Sequence, residues 1–338
     1  MKTNKISNTF YVMRFFAIVA IVLAHSAFEQ IPNDIAVKLL HAIGRSGVII
    51  FFVASGYYFN NFKYPNVNQM LKSKIVTIFV PWFIWGVAAY CVRFANEAFY
   101  FNPIEIITWV LGFGTYLWFL TILIIIYCIF QVVPNNNYIW YGSMITSAVS
   151  IMLTANNIGF FNAFNIDQIY GGVKTIYLDT YLNVFNWIGF FSLGILLKKA
   201  KTLEKYGTLA YGKKKWLVLI LIPFIFIMIL LEKQASYWTY YSIFIEMGIF
   251  VIVLILSISM NEVKLFKRIG TISLPIYLLH MQIQGFIFNK IYPQSIIMGI
   301  IRPIITVLSV YYLINFGLYV SKKIHMEKLY RIILGLKL

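Results

Sequence analysis

The chain has 338 residues, 61% of them hydrophobic, 18% aromatic and only 12% charged, with a formal net charge of +17. So few charges cannot clothe a soluble domain, so most of the apolar surface has to face lipid or other helices. The basic residues fall in short clusters between apolar runs, as in cytoplasmic loops. No nucleic-acid-binding motif accompanies them, which excludes nucleic acid as the partner.

The first apolar stretch, residues 10–28, is long enough to cross a bilayer and carries Arg14 and His25. Eleven residues at about 100° each return to within about 20° of the starting direction, so a helix places both side chains on one face. A rise of about 1.5 Å per residue separates them by roughly 16 Å in depth. Ionisable groups inside a membrane are costly and mark function by default. Lysines followed by an apolar run also resemble a signal peptide, but Arg14 inside the run and the spans downstream argue for a retained first helix.

Runs of spanning length follow at about 9–28, 46–62, 75–95, 115–133, 138–155, 182–197, 216–231, 239–260, 270–290 and 297–320. The reading is an all-α, polytopic integral membrane protein of about ten transmembrane helices, with residues 103–113 as a short interfacial or re-entrant segment. With the N-terminus inside and the helices alternating, twenty Lys and Arg residues fall inside. Five fall outside: Lys38, Arg45, Lys174, Lys233 and Lys290. That bias puts both termini in the cytoplasm. The connection at 134–137 is uncharged, so that hairpin rests on parity alone. The longest external connection, 156–181, holds Asp167 and Asp179 among Asn, Gly and aromatic residues. Its composition suits carbohydrate and suits an amphipathic surface cap equally. The domain organisation is a ten-helix membrane domain, 1–321, and a basic cytoplasmic tail, 322–338, compatible with an interfacial helix. The Asn-, Lys- and Ile-rich composition is compatible with a bacterium of low GC content, and so with a bacterial cytoplasmic membrane.

In the outward-running first helix, His25 lies near the external surface and Arg14 deeper. A neutral imidazole is a competent general base, and an arginine can hold a phosphate or polarise a carbonyl. The alternative is a histidine bonded at the interface and an arginine anchoring a neighbour. Next comes the stretch from Gly44-Arg45-Ser46-Gly47 to Ala54-Ser55-Gly56-Tyr57, where the small residues Gly47, Ala54, Ser55 and Gly56 read as close packing. Trp118 stands in Leu117-Trp118-Phe119-Leu120, which opens a span. The ninth helix carries Tyr277 and His280, with Pro275 expected to kink it. Glu246 is an intramembrane carboxylate that could neutralise Arg14, relay a proton from His25, or bridge helices. Arg93 and Arg302, near external helix ends, read as snorkelling to the interface. The seven lysines of 198–215 read as topology determinants and anionic-lipid contacts. His41 and His325 read as interfacial. Cys91, Cys128 and four scattered histidines form no disulfide framework and no metal site.

An Arg and a His separated by ten residues in the first helix, a Phe51-Phe52-x-x-Ser55-Gly56 second helix, a Trp118-Phe119-Leu120 span start and an Ile272-Ser273-Leu274-x-Ile276-Tyr277-Leu278-x-His280 helix, in that order, resemble the membrane acyltransferase-three family. The resemblance runs from residue 14 to 280. It implies transfer of an acyl group, usually acetyl from acetyl-CoA, to a hydroxyl of a cell-envelope glycan. His25 matches the family's catalytic histidine, as general base or as a carrier that takes the acyl group first and passes it on, and Arg14 matches its arginine. Acyl-CoA is then a co-substrate rather than a bound cofactor, with Arg14, Lys74 and Lys72 near its thioester or phosphates. Glu246, His280, Ser55, Trp118 and Tyr277 support the site or line the substrate path. The expected partners are acyl-CoA, a glycan or lipid-linked glycan acceptor and membrane lipids. Two positions depart from the family pattern: Ile49 stands where many members have an acid, and Lys74 and Thr77 precede Pro81 where many have paired arginines. A flippase or transporter of a lipid-linked glycan, and a catalytically altered subunit of glycan assembly, are the rival readings.

Overall fold

The computed structural model describes residues 2–25, 35–60, 63–94, 103–112, 115–156, 180–201, 211–232, 237–260, 263–285 and 295–336, and their regular structure is helical throughout. Five helical stretches are long and apolar enough to span a membrane: Ile6–Ala24, Ile35–Tyr58, Val67–Val92, Ser242–Ser259 and Ile296–Lys323. Trp118–Val132 and Lys215–Leu231 are apolar but shorter. The chain divides into two compact units, Met1–Tyr58 with Leu193–Phe316, and Phe59–Ser192 with Gly317–Leu338. The long connection at 157–179, Lys233 and Lys290 lie outside the described residues, as does the side chain of Arg93.

In the first unit, α1 (Lys2–Ala24) is the central element and packs lengthwise on α2 (Ile35–Tyr58). Small residues make that approach possible. A Cβ on Gly47 would lie 2.6 Å from the Ala17 carbonyl oxygen and 3.0 Å from Ala20 Cβ, and one on Gly44 would lie 2.8 Å from Ala24. In lipid, where apolar side chains gain nothing by leaving their surroundings, such backbone proximity is the main source of helix association. α2 begins at Ile35, well before the apolar run that starts at 46, so Arg45 is a mid-helix residue and not part of an external loop.

The same unit holds α9 (Tyr211–Leu231) and α10 (Ser242–Ser259). Ala42 of α2, Ile225 and Ile229 of α9 and Ile245 of α10 share one buried cluster. The ninth apolar run is two helices, α11 (Lys264–Thr271) and α12 (Ser273–Ile283), and not one helix kinked at Pro275. The break falls at Ile272 because Pro275 then occupies the first turn, where its missing N–H costs nothing. Phe15 and Phe16 of α1 grip Phe266 of α11, with the Phe15 ring stacked at 3.9 Å. α12 also packs on α1. In α13 (Ile296–Lys323), Arg302 is only 1% exposed, so it does not snorkel to an interface in the protein fold.

The second unit starts with α3 (Val67–Lys74), whose first turn is capped by Asn66 accepting the Gln69 N–H at 2.9 Å. A π-helical turn, Ile75–Phe79, joins it to α4 (Val80–Phe94). Pro81 supplies the cause: its ring crowds the Thr77 carbonyl four residues back and offers no N–H, so the chain widens just upstream. α5 (Pro103–Val110) is the short segment expected at 103–113. Gly112, at φ +94, turns the chain against the Trp118 backbone into α6 (Trp118–Val132). α7 (Asn137–Ala155) and α8 (Val184–Lys199) are clasped by polar side chains: Ser150 donates to Asn186 Oδ1 at 2.6 Å, and Ser147 donates to the Phe185 carbonyl at 2.7 Å. The C-terminal α14 (Glu327–Leu334) docks on α4, where Trp85 donates its indole N–H to the Ile333 carbonyl at 3.0 Å.

Candidate functional site

His25 is the first residue beyond α1, its N–H bonded to the Val22 carbonyl at 3.3 Å, and it is half-buried. Its imidazole faces His280 of α12, with ring centroids 5.3 Å apart and planes inclined by 42°. His280 is fully buried, and its Nδ1 is bonded to the carbonyl of Tyr277 one turn earlier. A carbonyl only accepts, so Nδ1 carries the proton and Nε2 keeps its lone pair. The Tyr277 ring lies 5.7 Å from that of His280. Two histidines 255 residues apart in sequence, each expected separately in the membrane, therefore meet as a pair held by α1 and α12.

Arg14 is half-buried on α1, with its guanidinium carbon 5.3 Å from the centroid of Tyr58, the last residue of α2. Phe10, one turn earlier, closes the same corner against Tyr57 at 4.3 Å and Tyr58 at 5.0 Å. Helical side chains lean toward the N-terminus, so the guanidinium points away from His25. The charge and the imidazole pair are thus separated by at least the roughly 16 Å that eleven residues of helix rise supply. They can address two ends of an extended molecule but not one small group. Ser55 is half-buried on α2, beside Gly56, where Gly194 of α8 comes against the backbone of Val53 and Tyr57.

Glu246 belongs to a different set. Arg45 Nη2 reaches Glu232 Oε2 at 3.1 Å and Oε1 at 3.3 Å, and its Nε lies 3.3 Å from Glu246 Oε1. The side chains are 5%, 0% and 3% exposed. Thr239 donates to Glu232 Oε1 at 2.8 Å, and Lys38 Nζ donates to the Glu232 main-chain carbonyl at 2.9 Å. Arg45 thus bridges two buried carboxyl groups, and the half-buried Lys38 adds a contact to the Glu232 main chain. The expected pairing of Glu246 with Arg14 is replaced by one with Arg45, because α2 carries Arg45 inward between α9 and α10. Sequence reading missed Glu232, which ends an apolar run next to Lys233 and looks like a surface charge. A signal existed in Lys38, His41 and Arg45, spaced i, i+3, i+7 on one helical face. His41 feels the charges of both Arg45 and Glu232.

Lys72 and Lys74 belong to the second unit, at the end of α3. Lys72 is exposed. Lys74 is half-buried, with Nζ 5.0 Å from the Tyr127 ring centroid, immediately before the π-helical turn. Ser73 hydrogen-bonds the phenol of Tyr64, and with Lys63 and Lys74 nearby this holds Tyr64 below the usual tyrosine range. Trp118 is also in this unit, packed in an aromatic core with Trp187 stacked at 4.9 Å and Tyr181 at 5.3 Å. Among the described residues, no group of three or more His, Cys, Asp or Glu side chains could hold a metal ion.

A family model described as an acyltransferase domain matches residues 9–318, nearly the whole chain. No curated protein and no solved structure matches it.

Proposed function

Taking the chain as a member of the acyltransferase-3 family, which the match over residues 9–318 establishes, we propose that it moves an acetyl group from acetyl-CoA to a hydroxyl of a cell-envelope glycan. The observation that carries this reading is the facing pair His25 and His280 on α1 and α12. The acceptor oxygen attacks the thioester carbonyl while His25 takes the hydroxyl proton. The carbon–sulfur bond then breaks, and the imidazolium returns that proton to the departing thiolate. Protons and charge balance without a bound cofactor. His280, with Nδ1–H committed to the Tyr277 carbonyl, positions the His25 ring. Arg14, eleven residues before His25 and midway along α1, addresses the phosphate-bearing end of the donor, and acyl-donor contact by Lys72 and Lys74 of the second unit is a separate part of this reading. Ser55, Tyr277 and Trp118 support the substrate path, and Glu246 supports the helix packing around it.

The family is one of membrane acyltransferases, and five long apolar helices agree with a multi-pass protein. The finer topology belongs to the proposal: about ten spans, both termini cytoplasmic, in a bacterial cytoplasmic membrane. The shorter apolar helices and the strong cytoplasmic bias of Lys and Arg support it.

The test compares wild type and His25→Ala in a host lacking the gene's own locus, reading envelope-glycan O-acyl content by mass spectrometry. An acetyl-sized mass increase confined to wild type is expected. Equal masses from two correctly folded proteins would overturn the reading. The break between α11 and α12 favours a second one, a flippase of a lipid-linked glycan, since discontinuous helices often form transport sites. A flippase leaves the mass of its substrate unchanged, so the same measurement separates the two.

A further inference from the structure

The C-terminal helix of the second unit closes a cleft with a strong excess of positive charge. α13 ends in a turn where His325, at φ +58, occupies the left-handed position that usually takes glycine. The Met326 N–H bonds the Ser321 carbonyl at 2.8 Å, and the His325 N–H bonds the Lys322 carbonyl at 3.3 Å. α14 starts directly after, and Lys322, His325, Glu327, Lys328 and Arg331 line a space of about 450 Å³ between the two helices. Glu327 is the single carboxylate among the described residues lining it, against three formal positive charges. It accepts from Arg331 Nε at 2.8 Å and lies 3.8 Å from Lys322 Nζ, so it gathers the cations without neutralising them.

This arrangement is held in place and is not a loose basic tail. The apolar side of α14 is docked by Trp85, and Leu334 and Leu336 are buried. The turn after it is a second Schellman motif, with Gly335 at φ +65 and the Leu336 N–H on the Arg331 carbonyl at 2.9 Å. His325 thus holds, inside the cleft, a left-handed backbone position that favours glycine.

We propose that this cleft is a phosphate-binding site. A guanidinium, two ammonium groups and an imidazole within one concave surface suit a phosphate, which accepts several charge-assisted hydrogen bonds at once. The phosphate comes either from an anionic lipid headgroup or from the nucleotide end of a soluble donor. The site does not rest on the acyl-transfer reading, because either source fills it whatever reaction the chain performs.

The purified full chain tests this in two arms. In one, adenosine 3′,5′-bisphosphate is titrated onto protein in neutral detergent. In the other, thermal stability is compared in phosphatidylcholine nanodiscs with and without phosphatidylglycerol. Losing one charge-assisted contact lowers affinity by about tenfold, so Lys322→Gln/Lys328→Gln should weaken the responding arm by at least that factor. His325→Gly should raise the thermal midpoint by relieving the backbone while still weakening phosphate binding. Glu327→Gln should strengthen binding by removing the competing carboxylate. The arm that responds identifies the source. Wild type and all three variants behaving alike in both arms would overturn the site and leave the acyl-transfer test on His25 untouched.

Discussion

Replacing Arg45 with Met probes the buried ion cluster of the first unit. The side chain is 5% exposed, and Glu232 and Glu246 are 0% and 3% exposed, so solvent cannot take over their charges. The substitution removes the guanidinium that spans both carboxyl groups, while Lys38 reaches only the Glu232 main-chain carbonyl. Hydrogen bonds to charged groups contribute about 1.5–3 kcal/mol each, and breaking a buried pair by deleting one partner costs about 3–5 kcal/mol. The distances of 3.1–3.3 Å are long for such bonds, which places the expectation near the lower end of that range. Equilibrium unfolding by SDS in mixed micelles, followed by tryptophan fluorescence, reads the loss as a lower midpoint. Adding Glu232→Gln and Glu246→Gln should restore most of it, since a neutral cluster has no stranded charge. Arg45→Met unfolding at the wild-type midpoint would refute the argument, as would a triple variant no more stable than the single one.

Three other outcomes follow from the same packing. His280→Gln should lower kcat by about 10²-fold through misplacement of His25, with the acceptor KM unchanged; a rise in KM at constant kcat would instead give His280 a binding role. Gly47→Leu forces a side chain into the Ala17 carbonyl and Ala20 and should cost at least the roughly 1–3 kcal/mol of ordinary overpacking, read as a lower thermal midpoint in detergent. Asn186→Ala removes the carboxamide oxygen that accepts from Ser150, Thr154 and Asn183 and should cost about 1–3 kcal/mol, whereas a neutral result would show that the α7–α8 clasp carries no stability.

Hydropathy and residue chemistry determined the class of this protein. Apolar length marks the long helices, because a bilayer requires backbone polar groups to be satisfied within each segment, whereas the short polar α3, α11 and α14 escape it. Local rules relate Arg14 and His25 through helix geometry alone, and in the structure α1 carries Arg14 and ends at Ala24, one residue before His25. What could not be read locally is which charges meet. Arg45 looked like a loop residue because Gly44, Ser46 and Gly47 surround it, yet those small residues are what let α2 run past α1 with Arg45 buried. Glu232 and Glu246 join it from helices nearly two hundred residues away, and no spacing rule connects them. The break before Pro275 and the π-helical turn before Pro81 show the same limit: proline announces an irregularity, but packing decides where the chain absorbs it. The pairing of His25 with His280 is likewise a tertiary fact. Each imidazole was visible as an intramembrane group, and only the packing of α12 against α1 makes them one site.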